Sequence, residues 1–467
     1  MPDLVVMKFG GTSVGDASAI RRVSDVIAKA RARGDRVVAV CSAMHGVTDL
    51  LLRGARESAA GDGESFRDIA LELRRRHREA VALLVDDPAR ARNLCDRVEP
   101  LVAEFESLCH AVHVLGEASA RARDAIASLG ERMSVLLVAV GLEARGVAAE
   151  AVDAAICVVT DDRYGEAAPD MEATRARCVS VLRPLLERGT TPVVTGFIGA
   201  TPRGAVTTLG RGGSDFSAAI LGTALDAQAV IIWTDVPGVM TADPRVVPSA
   251  RTIAALSFRE VSELAYYGAK VLHPKTIRPV IERGIELWIR NTFDPANPGT
   301  RIVSEVEPGT GIVKAVTAIP GQSMVTLEGR GMVGVRGVAG RTFGAVSTAG
   351  ASAAFITQSS SEQTICFTVP SSQAGVVREA LAREFERELS RRDIDSITVR
   401  DELVIVTVVG AGMMEIPGVA GRVFTALGKA GVNVIAIAQG SSEVSISMIV
   451  TAADATPAVR AVHDLTV

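Results

Sequence analysis

The sequence predicts an α/β protein, with a mainly parallel central sheet covered by helices and two small α+β modules after it. Two observations carry this. Short apolar runs alternate with small-residue turns and amphipathic stretches from the first residues onward, the order of strand, loop, helix, strand in a parallel sheet. Toward the C-terminus a set of motifs recurs at one fixed spacing, which marks a duplicated module.

Taken in order, Leu4–Phe9 reads as a buried strand. Gly10-Gly11-Thr12-Ser13 then turns the chain into an amphipathic helix over 17–33. Arg36–Cys41 is a second strand, closed by the turn Ser42-Ala43-Met44-His45-Gly46. Residues 50–127 lack strand signals and read as mostly helical. The run Arg74-Arg75-Arg76-His77-Arg78 within them is expected to be a solvated helix face. Further strands are predicted at Pro192–Thr195 and Ala229–Thr234. Prolines and glycines crowd between 294 and 311, the composition of a linker.

Beyond the linker, Gly329-Arg-Gly-Met, Gly337-Val-Ala-Gly-Arg341, Ala349-Gly350 and Gln358-x-Ser-Ser-Glu362 return as Gly410-Ala-Gly-Met, Gly418-Val-Ala-Gly-Arg422, Ala430-Gly431 and Gln439-x-Ser-Ser-Glu443. Each pair is 81 residues apart with no gap. Each copy reads strand, glycine turn, helix, strand, short turn, strand. The expected division is 1–295 for the α/β domain, 296–311 for a linker, and 312–390 and 397–467 for the two modules.

Composition limits the function classes. With 467 residues the chain has room for roughly three domains of about 150 residues. Fifty basic residues against fifty-four acidic ones give a formal charge of −4, which argues against coating nucleic acid or an anionic membrane. The longest apolar run, Met133–Leu142, is too short to span a bilayer. No secretory leader is expected, since the chain opens directly into Leu4-Val5-Val6-Met7. The six cysteines form no CxxC pair and read as buried thiols of a reducing, cytoplasmic setting.

The chain has no GxxxxGK[ST] phosphate loop. A GxGxxG match at Gly329, Gly331 and Gly334 is broken in the second copy by Glu415 and reads as a tight turn. His110-x-x-His113 lacks a carboxylate in register for a metal. Three loops carry chemistry instead. In the first, Lys8 at a strand end is costly to bury without an anion, and the Gly10 and Gly11 N–H groups suit phosphate oxygens; a plain strand-to-helix turn is the other reading. The second, Thr208 to Asp215, sets Arg211 among three glycines, with Ser214 and Asp215 capping a helix expected to begin near 216. Asp215 there is a cap, or it orients Lys8 or Mg²⁺. Arg211 suits a two-pronged grip on a carboxylate. The third, Trp233 to Arg245, lies where open α/β sheets bind ligands.

KFGGTS (8–13), SAMHGVTDLL (42–51), LGERMS (129–134), TLGRGGSDFSA (208–218), WTDVPGVMTADPR (233–245), YGAKVLHP (267–274) and RNTFDP (290–295) together resemble the aspartokinases of the amino-acid kinase superfamily. The repeats resemble tandem ACT domains, and ITQSSSE (356–362) and IAQGSSE (437–443) resemble the kinase half of bifunctional aspartokinase–homoserine dehydrogenases. The resemblance implies a three-layer kinase domain, with transfer of the ATP γ-phosphoryl group to the side-chain carboxylate of L-aspartate, aided by Mg²⁺. It also implies roles for individual residues. Lys8 and Asp215 are the expected catalytic pair, and Ser42, Thr48, Glu131, Arg211 and Ser214 are expected at the aspartate. Lys8, Gly10, Gly11, Thr234, Asp235, Met240, Arg245 and Lys270 are expected at the nucleotide, with Met240 where the family usually has tyrosine. Gln358 and Gln439 would bind an amino-acid effector, threonine ahead of lysine, and ACT pairing implies a homodimer or larger assembly. No nucleic-acid or membrane partner is expected. Rival readings are an acetylglutamate or glutamate 5-kinase and a catalytically silent amino-acid sensor.

Overall fold

The computed structural model describes residues 3–268, 272, 274–304, 312–332, 336–358, 363–440 and 442–466. They divide into two compact units. One covers Met1–Val239, Ala254–Phe258 and Leu272–Ser304, and the other covers Met240–Ile253, Arg259–Val271 and Glu305–Val467. This grouping differs from the contiguous division drawn from sequence, because two segments before residue 295 pack with the repeats.

In the first unit β1 (Leu4–Phe9) leads into α1 (Ala17–Ala32), and β2 (Arg36–Cys41) into α2 (Val47–Ala59). Three long helices follow: α3 (Ser65–Leu84), α4 (Pro88–Leu115) and α5 (Ala120–Glu143). Next come β3 (Ala149–Val152), α6 (Met171–Glu187), β4 (Thr191–Thr195) and the hairpin of β5 (Ile198–Ala200) with β6 (Val206–Thr208). Then come α7 (Gly213–Ala224), β7 (Ala229–Thr234), β8 (Ala255–Ser257) and α8 (Phe258–Tyr266), which continues into the second unit. The first unit closes with α9 (Pro274–Glu282), β9 (Glu286–Asn291) and β10 (Thr300–Val303).

The main sheet runs β3-β4-β2-β1-β7-β9-β10-β8. All its pairs are parallel except β9 with β10. β10 lies inside the stretch expected to be linker: Thr300 and Ile302 are buried while Arg301 is exposed, the alternation of a half-buried strand. Residues 305–311 of that linker lie outside the described residues. The core gathers Phe9, Ile20, Ile27, Leu51, Phe105 and Met133. By length and composition α5 could cross a membrane, being longer than the run read from sequence, yet most of it is buried in this core. Four of the six free cysteines are buried, while Cys95 and Cys366 are half-exposed, contrary to the expectation for those two.

In the second unit the first copy comprises β11 (Ala315–Glu328), α10 (Val338–Thr348), β12 (Phe355–Gln358), β13 (Thr364–Pro370), α11 (Ala374–Glu384) and a short α12 (Glu386–Arg391). The second comprises β14 (Ser396–Val409), α13 (Val419–Lys429), β15 (Ala436–Gln439), β16 (Ser445–Thr451) and α14 (Ala455–His463). Apart from α12, each of these elements has its counterpart 81 residues on. All six strands form one antiparallel sheet, β12-β13-β11-β14-β16-β15.

The modules interleave. The C-terminal half of β11 pairs with β13 and with the N-terminal half of β14. The N-terminal half of β11 pairs with the C-terminal half of β14, which carries β16. Each long strand therefore serves both copies, and register slips near Gln322 mark the changeover. The same two-fold relation explains the glycine match. A Cβ on Gly329 would lie 2.4 Å from the Asp393 carbonyl, and one on Gly410 would lie 2.3 Å from the Ile312 carbonyl. Only glycine tolerates such an approach, so Gly329 and Gly331 serve packing, and Gly334 lies outside the described residues. The segment Arg259–Tyr266 joins this unit through buried Glu260, which pairs with Lys314 at 3.3 Å and accepts the Ala411 N–H.

Candidate active site

Strands β4, β2, β1 and β7 are adjacent and parallel, so their carboxyl ends share one edge of the sheet. The chain goes from β1 to β2 on one side and places β7 on the other, a reversal of the kind at which open α/β sheets form ligand crevices. Three loops and the buried face of α5 line an open cavity of about 450 Å³ at this edge. It is lined by Lys8, Gly11, Ser42–Gly46, Thr48, Asp49, Glu131, Phe197 and Gly210–Asp215.

Lys8 leaves the end of β1 and meets Asp215 at 2.6 Å. The N-cap of α7 is Gly212, in a left-handed conformation, and the helix begins at Gly213. Ser214 and Asp215 therefore sit within the first turn and are not its caps, contrary to the sequence expectation of a start near 216. The glycines at 210 and 212 take positive φ and free the chain to turn one residue group earlier. Asp215 thereby keeps its carboxylate for Lys8. The Gly11 position faces the Ala43 carbonyl, 3.2 Å from where a Cβ would be, so the turn after β1 lies against the Ser42–Gly46 loop.

Glu131 is the second charged centre. Burial on α5 pushes its carboxyl up to about 8, and the Ala43 N–H, bonded to Oε1 at 3.2 Å, offsets only part of that. Its other oxygen, Oε2, is buried without a hydrogen-bond partner among the described residues. Such an acceptor is costly unless a donor arrives. Arg211 is exposed on the glycine loop and has no carboxylate partner among the described residues. Thr48 lies in the first turn of α2, and Ser42 is anchored by its N–H to the Phe9 carbonyl.

The expected acceptor residues Ser42, Thr48, Glu131, Arg211 and Ser214 are thus brought together with Lys8, Gly11 and Asp215. Gly10 follows in the same turn, its N–H on the Trp233 carbonyl. Thr234 ends β7 and its hydroxyl donates to Asp235. Met240 and Arg245 belong to the second unit; the Met240 sulfur accepts from Thr252, and Arg245 folds back onto Asp243 at 2.6 Å. Lys270 lies outside the described residues. Gln358 and Gln439 are exposed at the ends of the two edge strands, opposite Ile365 and Ile446 in matching register.

Sequence reading missed Phe197 and Asp124. Phe197 lines the cavity with φ of 69°, rare for a bulky residue and a sign of constraint. Its N–H is held by Ser217 and its carbonyl by the Leu209 N–H. Asp124 is buried on α5 and accepts from Gly165 N–H, Thr208 N–H and the Thr208 hydroxyl, fixing the start of the Arg211 loop. Nothing in the local pattern around either residue signals these contacts.

The chain matches the amino acid kinase family over residues 3–291 and the ACT domain over 325–385 and 406–465. It is 36% identical over 464 residues to the bifunctional aspartokinase/homoserine dehydrogenase 2 of Arabidopsis thaliana, covering 98% of this chain and 50% of that one. The chain spans about half the length of such bifunctional relatives. It is 34% identical to the lysine-sensitive aspartokinase 3 of Escherichia coli (strain K12), over 99% of both. The crystal structure of E. coli aspartokinase III with aspartate and ADP matches with a TM-score of 0.80 at 31% identity, over 99% of both chains.

Proposed function

Because the chain belongs to the amino acid kinase family, and within it to the aspartokinases, we propose that it transfers the γ-phosphoryl group of ATP to the side-chain carboxylate of L-aspartate, giving 4-phospho-L-aspartate. One observation carries the choice of acceptor. The cavity holds a buried carboxylate with an unused oxygen, Glu131, together with cationic Lys8 and Arg211. That set suits a small molecule bearing an ammonium and two carboxylates.

The chemistry follows from charge. An aspartate side chain has a pKa of about 3.9, so the nucleophile is ionised at neutral pH and needs no general base. The barrier is an anion approaching a polyphosphate, and catalysis is charge neutralisation with in-line positioning. Lys8, steadied by Asp215, lies on the transferring phosphoryl group, and the Gly11 N–H faces phosphate oxygens, whereas the Gly10 N–H expected beside it is spent on the Trp233 carbonyl. Arg211 and Thr48 hold the acceptor's carboxylates, with Ser42 and Ser214 beside them, and Glu131 takes the ammonium into its unused oxygen.

Mg²⁺ bound to nucleotide is carried largely by phosphate oxygens with one or two carboxylates; Asp215 fits that duty and would hold it, and the ion would offset charge on the phosphates. Thr234, Asp235, Met240, Arg245 and Lys270 contact the nucleotide in this reading, with the Met240 thioether packing on the base. The duplicated ACT modules support control by an amino acid. Threonine is our choice, through Gln358 and Gln439, although the E. coli relative is named lysine-sensitive. A homodimer and a cytoplasmic location complete the reading, supported by the ACT edge strands and by the free cysteines.

The test is release of ADP from ATP, Mg²⁺ and L-aspartate, with the acyl phosphate trapped by hydroxylamine. Aspartyl hydroxamate is the expected product. ADP formed only with glutamate or acetylglutamate would replace the acceptor, and amino-acid binding without ADP would make the chain a sensor.

A further inference from the structure

The basic run 74–78, read from sequence as a solvated face, contains one residue used differently from its neighbours. Arg74 is paired with Glu99 and Glu106, Arg75 with Glu72 and Glu79, and Arg78 with Glu99. His77 is buried and bonds the Leu73 carbonyl within its own helix. Arg76 has no carboxylate partner among the described residues. Its Nη2 instead donates to the His45 carbonyl at 2.6 Å, and its Nη1 lies 3.8 Å from where a Cβ on Gly46 would be.

That carbonyl belongs to the Ser42–Gly46 loop of the acceptor cavity. The loop is tied at three points: Ser42 N–H to Phe9 of β1, Ala43 N–H to Glu131 of α5, and His45 carbonyl to Arg76 of α3. The first two ties hold its start. Arg76 holds its end, where Gly46 caps α2 and sets the position of Thr48. We infer that Arg76 is a positioning residue for the acceptor site, acting through the His45 carbonyl to hold Ser42–Thr48 in register with Glu131. The inference rests on the acceptor reading above. A bond from a charged donor to a carbonyl is among the stronger kinds in proteins, and Arg76 reaches no atom of the Lys8–Asp215 pair. Its loss therefore loosens acceptor recognition and leaves nucleotide binding in place.

The experiment compares wild type with Arg76→Met, which keeps the aliphatic stem without the donor, and Arg76→Lys, which restores one donor. Initial rates give KM for aspartate and for ATP, and hydrogen exchange reads the amides of residues 42–48. The expected result for Arg76→Met is a rise of about tenfold in KM for aspartate, which corresponds to ~1.4 kcal/mol. KM for ATP stays unchanged, exchange quickens only in the loop, and Arg76→Lys recovers part of the loss. Unchanged loop exchange, or equal rises in both KM values, overturns the inference. If wild type makes no aspartyl hydroxamate while loop exchange still quickens in Arg76→Met, the acceptor reading fails and the positioning role stands.

Discussion

Lys8 Nζ and Asp215 Oδ1 lie 2.6 Å apart, joining the end of β1 to the first turn of α7 across two loops more than 200 residues apart in the chain. The pair sets a cation in the cavity between the turn after β1 and the Gly210–Asp215 loop. Replacing Lys8 by Met is expected to lower kcat by about 100- to 1000-fold, the range for removing one donor to developing charge. Hydroxamate formation measures it, and a kcat within about threefold of wild type would remove Lys8 from the reaction.

Glu131 makes the acceptor site pH-dependent. With its carboxyl near 8, against an ordinary value of 4.5, the empty site is mostly protonated at pH 7. An incoming ammonium favours the ionised form, so aspartate binding releases a proton, and KM for aspartate falls as pH rises from 6 toward 8. Calorimetry at pH 7 in two buffers of different ionisation enthalpy detects that proton. In Glu131→Gln the release is absent and KM is higher throughout.

The same shift bears on stability. The folded state binds this proton more tightly than the unfolded chain, so the contribution is present below pH 4.5 and is lost as pH rises through about 8. Across that window the ligand-free protein is expected to lose stability relative to Glu131→Gln. Denaturant midpoints at pH 5 and pH 8 test the sign.

Arg211→Lys keeps the charge and loses the planar fork. If Arg211 grips a carboxylate by both prongs, KM for aspartate rises by about tenfold or more. An unaltered KM would show that only its charge matters.

Gly130→Ala sets helix propensity against packing. Alanine in α5 gains about 1 kcal/mol over glycine. Its Cβ, however, would lie 2.8 Å from the Ala43 Cβ and 3.3 Å from both Leu51 and Val47. Overpacking of this kind costs about 1–3 kcal/mol. The net expectation is a lower melting temperature and a displaced Ala43 loop, hence weaker aspartate binding.

For control, Gln358→Ala and Gln439→Ala are expected to weaken threonine inhibition by about 5- to 150-fold while leaving the uninhibited rate unchanged. Inhibition by lysine alone would reassign the effector.

Local chemistry is strong where one segment makes its own structure. The apolar runs at Leu4–Phe9, Arg36–Cys41 and Ala229–Thr234 are strands, and the small-residue turns after the first two are loops of the cavity. Lys8 and Arg211 are legible because cationic residues among glycines at strand ends suit anions, and Asp215 because a carboxylate in such a loop suits a pair with Lys8. Met240, Arg245 and the segment 259–266 were not separable by composition, and they pack with the repeats.

By itself, then, the sequence determined the alternation of strand and helix, the loops that carry charge, and a duplication of 81-residue period. Only the tertiary structure decided that β11 and β14 are shared between the copies, that Phe197 is held at positive φ, that Glu131 keeps an unused oxygen, and that Arg76 reaches the acceptor loop. The physical reason is range. Periodicity and turn chemistry act over a few residues, whereas strand partners, desolvation and a guanidinium's choice of acceptor depend on groups brought together from distant parts of the chain.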